Sequence, residues 1–547
     1  MFESGFQEIA AIVAVSAGIG ALAILLRQPL IVAFIGSGIL VGPTVFGWVS
    51  PSSALDLLSK IGISLLLFVV GLKLDVQLVR NMGSVAVAAG VGQVLFTVLF
   101  GFGIALGLGY GLIDSLYIAI ALTFSSTIII VKLLSDKREI DSLHGRISIG
   151  ILIVQDLLVV LLMIALSFYA EAERGTNFGR DITMIVLKGG AFIFLTVIVT
   201  KVVLPSVLGW AAKTQELLLV FAISWALGMA AVGEFLGFSK EVGAFVAGIT
   251  LASTPFREAI AARLVSLRDF LLLFFFINLG ASLELTQLKA DIGPALVFSA
   301  FVLIGNPLIV MAIMGVMGYR KRTGFLTGLT VAQVSEFSLL LAQLGVALGH
   351  IGNTALSLIT LVALVTIALS TYLILYSVPI YDRIGRFFTV FERRGPLREE
   401  EAGDAGTEAD VIVVGLGRFG NNIAAEIRAL GTPVLGVDFD PEPVRSWRSR
   451  GLPARYGDIE DPELLRTLPL RTAKWVVSTL PHPSLNTFLV HVLRQNAYKG
   501  KIAVTAHNEF DAAEMRAAKP DLILLPFIDA AREAAGTLVK GMKKRIV

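Results

Sequence analysis

The sequence has no cysteine in 547 residues, which excludes a disulfide framework, a thiolate metal centre and a cysteine nucleophile. It has five histidines, and no His, Asp and Glu grouping has the spacing of a metal site. Charge is scarce too: 16% of residues are Asp, Glu, Lys or Arg, against roughly a quarter in soluble chains. Hydrophobic residues reach 55%, and the mean hydropathy is +0.81. A soluble core cannot absorb that surplus, so the solvent for most of the chain is lipid. A wholly cytosolic enzyme, a disordered chain and a fibrous chain are excluded. The net charge of +3 leaves no electrostatic footprint for nucleic acid, and no such partner is expected.

What is present is a series of long charge-free runs. Residues 9–26, 28–55, 81–113, 115–131, 217–233, 242–256, 270–283 and 292–319 contain no charged side chain. The runs 55–72, 147–170, 183–209 and 323–348 carry only one or two, and 337–381 is charge-free throughout. A membrane helix takes about 20 residues. The runs therefore predict an all-α polytopic domain of thirteen spans, near 7–26, 29–47, 55–72, 84–106, 113–133, 146–169, 183–209, 215–233, 237–253, 266–283, 294–317, 323–348 and 354–380. They are too continuous for a β-barrel. One alternate set of loops holds fourteen Lys and Arg, among them Arg257, Arg263 and Arg268, and the other holds five. That bias predicts a multi-pass cell-membrane protein with an outside N-terminus and a cytoplasmic C-terminal region. The first span follows Glu3 and Glu8 and reads as a retained helix, not a cleaved signal.

The composition changes after the last span. Nine of the seventeen residues 392–408 are charged, which marks a solvated linker. The predicted organisation is a membrane domain over 1–385, a charged linker over 386–409 and a second domain over 410–547. In the last, the β-rich runs Val411–Val414, Val434–Val437, Trp475–Thr479, Ile502–Thr505 and Leu522–Leu525 alternate with helical stretches. That alternation predicts a parallel α/β sheet.

Asp156 is the ionisable group in the middle of the span 147–170, directly after Gln155. A carboxylate near mid-bilayer costs several kcal/mol unless it faces water, a cation or a partner. A structural Asn would fasten helices at lower cost, so Asp156 is a candidate site for a monovalent cation and for a proton. The preceding span contains Thr123-Phe124-Ser125-Ser126-Thr127, whose hydroxyls suit a broken helix with exposed dipole ends. Gln333-Val334-Ser335-Glu336-Phe337-Ser338 repeats the device in the twelfth span. Paired interrupted helices point to a transport site between inverted repeats. Glu336 is read as bonding the broken backbone, with a second proton carrier as the alternative. Asn278 is the polar residue near the centre of the tenth span, and between Phe270 and Leu288 no Lys or Arg offers Asp156 a basic partner. One carboxylate exchanging one proton for one monovalent cation moves no net charge.

After the first β run comes Gly415-Leu416-Gly417-Arg418-Phe419-Gly420, then a helix expected from about Asn421 to Leu430. Asp438 ends the second strand, 18 positions past the last glycine. This is the dinucleotide fingerprint in its full strand–helix setting. The helix N-terminus attracts phosphate and Asp438 can accept ribose hydroxyls, which disfavours a 2′-phosphate. Gly457 and Asp458 follow the third strand and border the adenine side. No hydride-acceptor pocket is evident, so the expectation is binding of an adenine nucleotide, AMP or NAD(H), without turnover. There is no catalytic cofactor, and the chain is not an enzyme.

The chain resembles the cation:proton antiporter-2 family, and within it the Kef-type potassium efflux systems. The resemblance rests on the Gln155-Asp156 pair, the Thr123–Thr127 and Gln333–Ser338 crossovers, the Phe274–Gly280 segment and Gly415–Gly420 opening a TrkA-N (RCK) domain. It implies a homodimer through both the membrane and RCK domains, and a moving helical core in which Asp156 carries cation and proton. It implies two crossing broken helices that complete the site, and RCK domains that gate it on binding nucleotide. The expected cation is K⁺, with Na⁺ as the alternative. Thr505-Ala506-His507-Asn508 stand where glutathione-regulated members carry basic residues, so glutathione gating is not carried over. A nucleotide-gated cation channel is the less favoured reading, since no TVGYG-type filter loop is present. A membrane-bound NAD-dependent enzyme is a third.

Overall fold

The computed structural model describes residues 5–43, 45–48, 53–73, 84–137, 139–140, 142–173, 178–283, 285–393, 409–438, 441–457, 459, 464 and 468–543. The chain up to Phe391 forms the body of one compact unit, and Glu392–Val547 form the body of another.

The first unit is helical throughout: α1 (Gly5–Leu25), α2 (Leu30–Val41), α3 (Ser53–Lys73), α4 (Ser84–Gly107), α5 (Leu112–Ala121), α6 (Thr127–Asp136), α7 (Leu143–Glu173), α8 (Phe178–Val202), α9 (Leu204–Ala211), α10 (Gln215–Phe235), α11 (Lys240–Ala252), α12 (Arg257–Ala281), α13 (Leu285–Ala300), α14 (Asn306–Val316), α15 (Lys321–Thr330), α16 (Glu336–Ala347), α17 (Asn353–Leu375) and α18 (Ser377–Ile384). Seven of the described helices are long and apolar enough to cross a membrane, or eight if the bent α8–α9 pair is one span. Several expected spans are instead built from shorter pieces.

Two breaks fall at polar clusters. α5 stops at Ala121 and α6 starts at Thr127, with the Ser126 hydroxyl accepting the Ile129 N–H as its cap. α15 stops at Thr330 and α16 starts at Glu336, where Ser335 caps by accepting the Phe337 N–H at 3.1 Å. Hydroxyl side chains at these points satisfy the donors that a helix start leaves open. A third irregularity, a π-helical turn over Phe301–Gly305, joins α13 to α14 and sets Asn306 at the head of α14. Pro307 follows, and its missing N–H removes one ordinary helical bond.

Close helix contact depends on small residues, as expected where lipid supplies no hydrophobic drive between helices. A Cβ on Gly38 of α2 would strike the Ile277 carbonyl, and one on Gly280 of α12 would strike the Ile35 carbonyl. The two backbones therefore touch. Phe274, Phe275 and Phe276 of α12 are fully buried.

Three expectations need correction. Arg268 is not in a loop: α12 continues through it, and it is buried beside Asp269, which accepts its Nη2–H at 2.7 Å. Pairing at the adjacent position lets a charged residue stay inside the helix. The linker does not begin at 386, because a helical turn over Gly385–Phe391 packs Phe388 and Phe391 against Phe325 and its neighbours. In the second unit the first helix begins at Arg418, not Asn421.

That second unit is a six-stranded, all-parallel sheet: β1 (Val411–Val414), β2 (Val434–Asp438), β3 (Ala454–Tyr456), β4 (Trp475–Ser478), β5 (Lys501–Thr505) and β6 (Leu522–Leu524), in the order β3-β2-β1-β4-β5-β6. Strands buried on both faces read as unbroken apolar runs such as Val411–Val414. The helices between them are α19 (Arg418–Ala429), α20 (Pro441–Ser449), α21 (Pro483–Gln495) and α22 (Glu509–Met515), with α23 (Pro526–Lys543) after β6. The order reverses between β1 and β4, the crevice where such sheets bind ligands.

Candidate functional site

The membrane site is built where the two breaks meet. The Ser125 hydroxyl donates to the Val331 carbonyl at 2.8 Å, and Gln333 Nε2 donates to the Ser126 carbonyl at 3.5 Å. Ser370 of α17 in turn donates to Gln333 Oε1 at 2.8 Å. Unwound backbone exposes polar groups that lipid cannot satisfy, so each break fastens to the other and to its neighbours.

Asp156 of α7 faces this crossing. Thr127, the first residue of α6, donates its hydroxyl to Asp156 Oδ2 at 2.8 Å. The positive end of the α6 dipole also favours a carboxylate there. Oδ1 makes no hydrogen bond among the described residues. One oxygen is thus held and the other is free to meet a cation or a proton. Glu336 is fully buried at the head of α16.

Gln155 does different work. Its Oε1 accepts the Ser125 N–H at 2.9 Å, and its Nε2 donates to Gln93 Oε1 at 2.7 Å. Gln93 Nε2 donates to Thr97 Oγ1 and to the Thr123 carbonyl, at 3.1 and 3.2 Å. Thr97 donates to Asn306 Oδ1 at 2.9 Å, and Asn306 Nδ2 reaches the Leu122 carbonyl at 3.5 Å. Side chains from α4, α7 and α14 thereby take over the hydrogen bonds that unwound residues 122–125 lost. Among the expected residues, Thr123, Ser125, Ser126, Thr127, Gln155, Asp156, Gln333, Ser335 and Glu336 come together here. Asn278 does not join them: among the described residues, the bond it makes is through its backbone carbonyl, to Ser282. Sequence reasoning missed Gln93, Thr97 and Asn306. Neutral amides inside the charge-free runs 81–113 and 292–319 were the available signal.

In the second unit, Gly415 turns the chain after β1 with φ +90°, and a Cβ there would crowd Thr479. A Cβ on Gly420 would collide with the Gly415 carbonyl, which explains glycine at both positions. Gly417 caps α19, with nothing within 4 Å of where its Cβ would be. Arg418 and Phe419 are exposed in the first turn. Asp438, buried at the end of β2, accepts the Leu416 N–H through Oδ2, and this ties the glycine loop to the acidic position. Gly457 directly follows β3, and its N–H donates to the Asp438 carbonyl at 2.9 Å. Asp458 lies outside the described residues.

The first unit is thus a set of apolar helices with a buried carboxylate set against two crossed, broken helices. The family called sodium/hydrogen exchanger, transmembrane, matches residues 11–375, and the TrkA-N domain matches residues 411–526. The chain belongs to the sodium/hydrogen exchanger family. Among its relatives, YbaL of Escherichia coli (strain K12), provisionally named a cation/proton antiporter, is 27% identical over 85% of this chain and 84% of its own. The glutathione-regulated potassium-efflux system protein KefC of Enterobacter sp. (strain 638) is 25% identical over 87% and 76%. The sodium proton antiporter MjNhaP1 of Methanocaldococcus jannaschii shares the fold, with TM-score 0.51 and 15% identity over 70% of this chain and 98% of that one. The protein is a multi-pass membrane cation/proton antiporter with a Rossmann-like TrkA-N domain.

Proposed function

We propose that the protein exchanges one monovalent cation, K⁺, for one proton by alternating access around Asp156. The observation that carries this reading is the Asp156 carboxylate, held by Thr127 on one oxygen and free on the other, at the crossing of two broken helices. Proton and cation compete for a single negative charge, so the cycle is electroneutral. Thr123, Ser125, Ser126, Gln333 and Ser335 complete the site through the unwound backbone. Gln155 keeps that backbone in place.

The thirteen-span arrangement, with an outside N-terminus and inverted repeats, fits the Lys and Arg bias of the loops and the two broken helices. A homodimer in the inner membrane follows from the family resemblance. Potassium is favoured by the Kef-type relatives. Sodium is the second reading, favoured by the family the membrane segment matches. The TrkA-N domain binds an adenine nucleotide, AMP or NAD(H), as a regulator. Gly415, Gly417 and Gly420 shape its phosphate loop beside Arg418 and Phe419, while Asp438 faces the ribose, and Gly457 and Asp458 the adenine.

The test is a pH-gradient assay in proteoliposomes, with K⁺ and Na⁺ compared side by side, with and without AMP or NADH. K⁺ is expected to dissipate the gradient faster, and nucleotide to change the rate. Asp438→Ala should weaken nucleotide binding by about 1–3 kcal/mol in calorimetry, the cost of unpaired polar groups. Unaltered affinity would remove Asp438 from the ribose.

A further inference from the structure

A cavity of about 580 Å³ opens among α1, α2, α6, α12 and α17, and Glu336 lines it. At about 30 Å³ per water, it accommodates a cation together with its hydration shell. Its lining is mostly aliphatic and aromatic, so the few polar atoms that reach it stand out. Two of the lining residues carry a buried acceptor with no hydrogen-bond partner among the described residues, Glu336 Oε1 and Gln28 Oε1. Leaving such atoms unsatisfied is costly.

Local structure holds both side chains in place. The chain leaves α1 through Arg27 in the left-handed region, φ +55°, and the Gln28 N–H closes the helix on the Ala23 carbonyl at 2.8 Å. Gln28 Nε2 then donates to the Ala368 carbonyl of α17 at 3.2 Å, which fixes the amide and leaves its oxygen unpaired. Thr371 lies one helical turn beyond Ala368 on the same face and also lines the cavity. Its hydroxyl hydrogen goes to the Ile367 carbonyl at 2.9 Å, so its oxygen has lone pairs to offer. Glu336 Oε2 meets the Ser335 hydroxyl at 3.5 Å, and Oε1 is left over.

Asp269 is paired with Arg268, and Arg27 and Lys132 stand against Asp136 and Glu336, so the charged groups along the cavity balance. Two buried acceptors without donors, one of them a carboxylate oxygen, are matched by a cation and not by an anion.

We propose that Glu336, Gln28 and Thr371 form a second monovalent-cation site, distinct from Asp156, at which an alkali ion rests between the cavity and the exchange site. This rests on the reading of Asp156 as the exchange residue. Glu336 changes role accordingly: it does more than bond the broken backbone, because its second oxygen is an ion ligand.

The experiment is equilibrium binding of ⁸⁶Rb⁺ to the purified full-length protein across the millimolar range, with folding checked by thermal unfolding. Asp156→Asn should lose one class of sites and keep one saturable class. Adding Glu336→Gln should abolish what remains. Gln28→Leu in the Asp156→Asn background, which leaves the α16 break untouched, should weaken it about tenfold, the loss expected for one charge-assisted contact. A folded Asp156→Asn protein that binds no Rb⁺ would overturn the proposal. So would residual binding that neither Glu336→Gln nor Gln28→Leu alters. Since Rb⁺ binding is read without transport, exchange persisting in Asp156→Asn would refute the role of Asp156 and leave this site standing.

Discussion

Asp156→Asn is expected to reduce cation-driven proton movement in proteoliposomes to the level of protein-free vesicles. Asparagine has the shape of aspartate and can still accept the Thr127 hydroxyl at the position of Oδ2, now 2.8 Å away. The broken helices should therefore stay assembled. What disappears is the negative charge. At about 4 Å and an effective dielectric near 20, that charge is worth about 4 kcal/mol to a monovalent cation. The corresponding loss of cation affinity is about a thousandfold, and the amide also holds no exchangeable proton at working pH. Thermal unfolding should move little, because a half-buried carboxylate is replaced by a group of equal size. Retained exchange would remove Asp156 from the centre of the mechanism.

The second large effect is on stability. Gln155→Leu leaves two buried groups without partners, the Ser125 N–H and Gln93 Oε1. At about 1–3 kcal/mol each, the expected loss is about 2–6 kcal/mol. Gln93→Leu removes the same Gln93–Gln155 bond and, in addition, those to Thr97 and to the Thr123 carbonyl. The double variant should lose less than the sum of the two, since the Gln93–Gln155 bond is counted in both. Additive losses in thermal unfolding would mean that the amides act independently and do not share the task of holding 122–125 unwound.

How much of this was legible beforehand depends on the physical signal. Missing charge located the helices well, because lipid tolerates few charges. Clustered hydroxyls at Thr123–Thr127 and Gln333–Ser338 located the breaks, since those side chains cap helix starts. Gln93, Thr97, Asn306 and Gln28 escaped because a search for charge passes over neutral amides and hydroxyls, whose importance appears only once their partners are seen. Arg268 was misread for the opposite reason: a charge near the end of an apolar run looks like a boundary until its neighbour Asp269 is seen to pair with it. In the second unit the glycine fingerprint fixed the turn. The helix start was set three residues late, since Arg418 to Gly420 already form the first turn of α19.

The most direct test of shared occupancy at Asp156 is the cation dependence of exchange measured at a series of pH values. If proton and cation compete for that carboxylate, the apparent KM for the cation should rise up to about tenfold per unit fall in pH, with the maximal rate unchanged. A KM that ignores pH while the maximal rate falls would contradict the account, because the two ions would then be occupying different groups.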